Sequence, residues 1–293
     1  VSVTPHFFTA NSRLGMINVP YRGTKLNIGV EDGPKSVLSE DFLRHFANPK
    51  VTAYKFPLPK DIQESDYPEI ITRLSKKFAE LINASLLSNE TQVVVGGDHS
   101  VALGALLAVF TRMDPASVGY IQFDSHGDVH LFKTSPSGNF HGMWLRPFLG
   151  EFDSPEIASI VPFTLKPGQI MFIGNLKLEN EEKKVFASRK IINITSRDLA
   201  KDRQESLSRI KDFIEKFNHI HISFDIDVFN KELVNATGTP AENGFQPNEV
   251  FDVLDILARA KQKSIDLVEV NPHKENSQAT IEIAQKVLLK LIE

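Results

Sequence analysis

Several short stretches of this chain place acids and imidazoles at spacings that can do chemistry. Phe123 to His130 reads Phe-Asp-Ser-His-Gly-Asp-Val-His, so Asp124, His126 and Asp128 fall two residues apart. In extended backbone, side chains at that spacing point to one face. The trio directly follows an apolar run, Val118 to Phe123. Burying ionisable groups there is costly unless an opposite charge compensates them. A divalent cation would do so; the plainer alternative is a polar turn with its carboxylates in water. Asp225 and Asp227 repeat the spacing, and Asp98-His99 follows Gly96-Gly97 after three consecutive valines.

Taken together, His99, Asp124, His126, Asp128, Asp225 and Asp227 are too many donors for one tetrahedral zinc site. Shared between two ions with bridging carboxylates, they suit hard cations that accept oxygen and imidazole, Mn²⁺ above all. Such a cluster generates hydroxide, because metal-bound water can lose a proton near neutral pH. A further carboxylate, Glu269, closes another apolar run, and a negatively charged site of this kind favours a cationic substrate. Asp98 has a simpler reading as the cap of the helix that begins near Val101. His221, between Ile220 and Ile222, reads as a hydrogen-bonded core residue. Trp144 and Phe148 read as packing for the long loop that contains them.

These groups need elements to hold them. Strands are predicted at 14–19, 51–54, 91–95, 118–123, 169–173, 190–194, 219–224 and 264–268. Helices are predicted at 31–46, 67–87, 101–112, 179–186, 198–217, 247–260 and 276–292, with 1–12 as an N-terminal extension lacking periodicity and 21–30 as a polar loop. Strands and helices alternate, and the 91–95 strand is a continuous β-branched run of the kind buried on both faces. This pattern predicts a single α/β domain over 1–293, a three-layer α/β/α arrangement with a mostly parallel central sheet. His99, Asp124, Asp225 and Glu269 would each follow the end of a different strand. Ligand sites of open α/β sheets lie along that edge.

Composition removes other classes. The 293 residues are 41% hydrophobic and 24% charged with a formal net charge of −4, which gives no reason to expect nucleic acid or an anionic membrane as partner. There is no cysteine, so thiolate chemistry and disulfides are excluded. Gly96-Gly97 lacks the later Gly, Lys and Ser/Thr of a phosphate loop, and no Ser-His-Asp arrangement competes. No apolar run approaches the ~20 residues of a membrane span. No basic-then-apolar leader is visible at the N-terminus, which points to a cytoplasmic protein.

Gly96-Gly-Asp-His-Ser100, Asp124-Ser-His-Gly-Asp128, Ser137-Gly-Asn-Phe-His-Gly142, Ser223-Phe-Asp-Ile-Asp227, Thr237-Gly-Thr-Pro240 and Val268-Glu-Val-Asn-Pro272 together resemble the motifs of the arginase (ureohydrolase) family in order and spacing. Gly29-Val-Glu-Asp-Gly-Pro34 resembles the family's N-terminal loop. The resemblance implies a binuclear manganese hydrolase that releases urea from a guanidino substrate, closest to enzymes that convert L-arginine to L-ornithine. It assigns His99 and Asp128 to one ion, His126 and Asp227 to the other, and Asp124 and Asp225 as bridges. It makes His141 the proton shuttle, with Asp128 sharing in proton transfer, and places Glu269 on the guanidinium. Ser137 and Asn139, with Ser135 adding a contact, would meet the substrate's α-carboxylate. His130, Glu179 and Thr239 would complete the substrate pocket. The resemblance also implies a homo-oligomer, a trimer or hexamer.

The resemblance frays at the far end of the pocket. His130 stands where the family usually has asparagine, Lys177-Leu-Glu179 replaces an Asp-Val-Asp run, Asn230-Lys231 replaces Asp-Pro, and Asn243-Gly244 replaces a glycine pair. Two other readings follow: a ureohydrolase for another guanidino compound, such as agmatine or a guanidino acid, and a metal-binding homologue with little activity.

Overall fold

The computed structural model describes residues 4–16, 27–57 and 64–292. In chain order its elements are β1 (Thr4–Asn11), α1 (Gly33–Val37), α2 (Glu40–Leu43), β2 (Lys50–Lys55), α3 (Tyr67–Ser85), β3 (Glu90–Gly96), α4 (Ala102–Arg112), β4 (Val118–Phe123), α5 (Pro155–Ser159), β5 (Ile170–Ile173), α6 (Asn180–Arg189), β6 (Ile192–Ile194), α7 (Ser196–Lys201), α8 (Arg203–Glu215), β7 (His219–Asp225), α9 (Pro247–Leu257), β8 (Lys263–Val268) and α10 (Ser277–Ile292). The strands form one eight-stranded sheet in the order β2-β1-β3-β8-β7-β4-β5-β6, and every pairing is parallel.

Successive strand residues feed two cores. Val94, Val118, Tyr120 and Phe172 pack under α3, α4, α5 and α6. Val93, Val95, Ile121, Phe123, Ile222 and Phe224 pack against α1, α2 and α7 to α10. The result is the expected three-layer α/β/α sandwich.

Sheet order brings the chemistry together. β3, β8, β7 and β4 are adjacent, although β3 and β4 are consecutive in the chain. Their C-terminal ends lead into His99, Glu269, Asp225 and Asp124. Phe123 pairs with Phe224 and Asp225 pairs with Val268, so the ligand-bearing residues leave the sheet at nearly one level.

The N-terminal extension expected over 1–12 is corrected. Thr4–Asn11 is β1, seated between β2 and β3. Both its faces are covered, so no alternation is visible in the sequence, and Pro5 argues against a strand. Its polar His6 is satisfied in the interior by Glu90 at 2.9 Å and Thr52 Oγ1 at 2.9 Å. The strand expected at 14–19 is, over Leu14–Met16, a 3-10 turn; residues 17–19, and 21–26 of the expected loop, lie outside the described residues. The helix expected over 31–46 is broken at Leu38 and restarts where Ser39 caps Phe42 N–H. That expected over 198–217 starts at Ser196 and breaks at Asp202, whose extended backbone and side-chain cap on Glu205 N–H begin α8.

Candidate metal centre

His99 Nδ1 lies 3.3 Å from Asp124, 2.9 Å from Asp128 and 3.3 Å from Asp225. Despite these neighbours the atom is buried and makes no hydrogen bond. His126 Nδ1 lies 3.0 Å from Asp227 and 3.5 Å from Asp124. Two groups able to hold a metal ion emerge, His99-Asp124-Asp128 and Asp124-His126-Asp227, and they share Asp124. The structure thus brings all six sequence-predicted ligands together.

The electrostatics demand a cation. Burial opposes charge on His99, yet the surrounding carboxylates outweigh it and hold the imidazole pKa well above its ordinary value. His126 behaves alike, with Asp227 and Asp124 overcoming burial. Asp225 is pushed well above the carboxylate range by burial and by the charges of Asp227 and Asp124. An orphaned imidazole nitrogen facing mutually repelling carboxylates fits a divalent ion, whose charge would satisfy both at once.

The candidate ligands are aimed by Gln122 and Ser125, which sequence reading passed over, and by Trp144 and Thr239, to which it gave other roles. Gln122 Nε2 donates to Asp124 Oδ2 at 2.7 Å, while its carbonyl oxygen accepts from Tyr120 OH at 2.6 Å. Trp144 Nε1 donates to Asp128 Oδ2 at 3.1 Å. Ser125 N–H and O–H both reach Asp227 Oδ1, at 3.1 and 2.9 Å. Thr239 O–H donates to Asp227 Oδ2 at 3.0 Å, and the same residue lines the cavity above. Asp128 and Glu269 have φ of 55° and 69°. Non-glycine residues seldom hold such left-handed backbone unless their surroundings fix it.

Behind His99 runs a buried polar chain. His99 Nε2 meets Ser223 Oγ at 2.9 Å, and Ser223 O–H donates to Asp266 Oδ1 at 2.6 Å. The other oxygen, Asp266 Oδ2, lies 2.8 Å from His221 Nε2. His221 Nδ1 meets Ser264 Oγ at 2.7 Å, and that hydroxyl meets His219 Nε2 at 2.8 Å. The donor directions follow from one end. Ser223 O–H is spent on Asp266, so His99 Nε2 carries a hydrogen in either protonation state, and loss of the Nδ1 proton frees the lone pair a metal needs. His221 is the hydrogen-bonded core residue its setting suggested.

Above the ligands opens a cavity of about 220 Å³ whose lining includes His126, Asp128, His130, Ser135, Ser137, His141, Lys177, Glu179, Glu182 and Thr239. His141 stands 3.5 Å from Glu269 Oε1. Burial opposes its charge, but Glu269 prevails and raises its pKa. The His141 loop is clamped by Tyr67, whose hydroxyl donates to Leu14 O at 2.7 Å and accepts from Phe140 N–H at 3.3 Å. His130 faces Glu179 at 3.5 Å and Glu182 at 3.7 Å.

Two expected substrate residues are set back. Glu269 is 2% exposed and accepts from His99 N–H at 2.9 Å and Asn27 Nδ2 at 3.1 Å. Asn139 is buried, with its side-chain oxygen unpaired. Neither lines the cavity. Asp98 does not cap its helix by side chain; it accepts from Ser100 O–H at 2.6 Å. Burial and the charge of Glu269 lift its pKa to about 6.

Comparison with known proteins now bears on this geometry. The sequence model described as "Arginase family" matches residues 12–293. An arginase of Entamoeba histolytica is 29% identical over 286 residues, covering 94% of this chain and 95% of the relative. An arginase of Staphylococcus aureus (strain COL) is 32% identical over 223 residues, covering 75% and 72%. In three dimensions, the Entamoeba histolytica arginase solved in complex with L-ornithine superposes with a TM-score of 0.85 at 27% identity, covering 100% of this chain and 99% of that one.

Proposed function

The chain belongs to the arginase family and is an arginase-type ureohydrolase, and within that family we propose that it hydrolyses L-arginine to L-ornithine and urea with two Mn²⁺ per subunit. The observation that carries this reading is the pair of donor groups sharing Asp124, buried but for the half-buried His126, beneath an open cavity. His99 and Asp128 would hold one ion, His126 and Asp227 the other, with Asp124 and Asp225 between them. Imidazole and carboxylate oxygen suit Mn²⁺. Bound ions of this kind supply Lewis acidity and a nucleophile from water at neutral pH.

The side chains do the remaining work. His141, on the cavity wall with its pKa raised by Glu269, is placed to give a proton to the departing amine. Glu269 adds negative charge beside the position of a guanidinium, acting from behind His141. Ser135 and Ser137, in the cavity lining with Lys177 and Glu179, present hydroxyls to the substrate's far end. The L-ornithine complex of the Entamoeba histolytica relative supports a substrate with an ornithine tail. By the same kinship the chain assembles as a homo-oligomer.

The test is urea release from L-arginine after manganese loading, with metal content measured on the same sample. Two ions per chain and manganese-dependent urea are expected. A loaded protein that makes no urea from arginine overturns the substrate, and a content of one ion overturns the binuclear site.

A further inference from the structure

The mouth of the cavity carries one feature that the hydrolytic chemistry leaves unused. Its acids are Asp128, Asp225, Glu179 and Glu182, and the only lysine or arginine in its lining is Lys177. Among the described residues no ion pair involves Lys177. A cation at the rim of an acidic cavity, with no acid of its own, is a group waiting for an anion.

Its position is built. Lys177 N–H donates to Ser125 O at 2.8 Å, which ties the residue to the ligand loop itself. A Cβ on Gly127 would meet Leu178 Cδ2 at 2.7 Å and Glu182 Oε1 at 2.8 Å, so the segment that follows Lys177 is packed hard on the same loop. Just before it, Asn175 bonds Ser196 Oγ at 2.8 Å and Asn243 O at 2.7 Å. The backbone of Lys177 is therefore held from both sides while its side chain stays exposed at the rim.

Glu182 is buried, and burial together with the charge of Asp128 raises its pKa to about 7. Glu179 is shared with His130. A guanidino compound bound with its reacting end at the metal ligands points its tail at this rim. There the free ammonium attracts a carboxylate and repels a terminal amine.

We propose that Lys177 is the specificity determinant of this pocket: its ammonium anchors a carboxylate on the substrate tail, so the enzyme takes guanidino acids and rejects their decarboxylated amines. The assignment rests on the ureohydrolase reading and sharpens its substrate class. Because the contact is partly exposed, it is screened by salt.

The experiment compares wild type, Lys177→Met and Lys177→Glu, manganese-loaded, on two matched pairs. One pair is L-arginine and agmatine as substrates; the other is L-ornithine and putrescine as ligands in calorimetry. Wild type should favour the carboxylate member of each pair. Lys177→Met should raise KM for L-arginine by about tenfold, with the loss in KM rather than kcat, and should weaken ornithine binding in parallel. The preference should also shrink with added salt in wild type but not in Lys177→Met. Lys177→Glu should bring agmatine and putrescine up. Equal carboxylate preference in all three proteins overturns the proposal while leaving urea release intact. Conversely, Lys177-dependent ornithine binding without any urea release overturns the hydrolytic reading and supports the anchor.

Discussion

Trp144 gives its indole N–H to the same Asp128 oxygen that lies 2.9 Å from His99 Nδ1. The tryptophan is fully buried, and its ring centroid lies 5.1 Å from that of His99. One side chain therefore packs the loop that carries His141 and also fixes the orientation of a candidate metal ligand. Trp144→Phe keeps most of the packing and removes the donor. Metal affinity should fall by about 10- to 100-fold, the usual cost of losing a ligand's hydrogen-bond partner, while the protein stays folded. Manganese titration followed by metal analysis reads this directly. Unchanged affinity would reduce Trp144 to a packing residue.

Asp266 is the anion of the chain behind His99. It is fully buried and receives donors on both oxygens, from Ser223 and His221. Asp266→Asn replaces one acceptor oxygen by an N–H donor. That donor must then face either the Ser223 hydroxyl or His221 Nε2, and the set of tautomers is forced to rearrange. The expected cost is about 1–3 kcal/mol of stability for a mispaired buried group, together with weaker binding at the His99 side of the centre. Thermal unfolding and metal stoichiometry should both move. If stability falls while two ions still bind with native affinity, the chain is structural only.

The candidate ligands were legible from a spacing of two, in Asp124, His126 and Asp128 and again in Asp225 and Asp227, yet extended backbone is not what gathers them: β4 ends at Phe123, Ile226–Val228 is a 3-10 turn and Asp128 has φ of 55°. The fold class was legible from strand-helix alternation. The same period also runs through His219, His221, Ser223 and Asp225 in β7, and with Ser264 and Asp266 in β8 it lays a polar stripe under the α4 side of the sheet. Each of these residues looks ordinary alone, and only the parallel register that sets His221 beside Ser264 turns them into a chain. β1 escaped because a strand covered on both faces shows no alternation. The retreat of Asn139 and Glu269 from the cavity also has no sequence signal, since neighbours on distant segments, Asn27 among them, decide it.

His219 makes stability depend on pH. It is 4% exposed, and burial, His221 and Arg112 lower its pKa from 6.5 to about 3. The unfolded chain therefore binds a proton between those values that the folded chain refuses. Stability is fully present above pH 6.5 and is lost progressively as pH falls toward 3. His219→Gln retains an amide donor toward Ser264 without a titrating ring. Its Tm should decline less than that of wild type between pH 6.5 and 4. Parallel Tm profiles would show that His219 contributes nothing to the acid limb.

The pairing of His141 with Glu269 yields the sharpest prediction on activity. Glu269 Oε1 is 3.5 Å from His141 Nδ1 and raises its pKa. Glu269→Gln removes the counter-charge, so His141 should lose its proton at a lower pH. Two measurements follow from that one change. The alkaline limb of kcat against pH should move to lower pH, with kcat/KM reduced by at least about 100-fold, because both the proton donor and the negative charge beside the guanidinium are weakened. His141 should also react faster with diethyl pyrocarbonate near pH 6.5, since that reagent attacks the neutral ring and the side chain lines the cavity. His141→Asn serves as the blank for the protein's other histidines. Slower or unchanged modification in Glu269→Gln would mean that Glu269 does not control the proton on His141, whatever the loss of turnover.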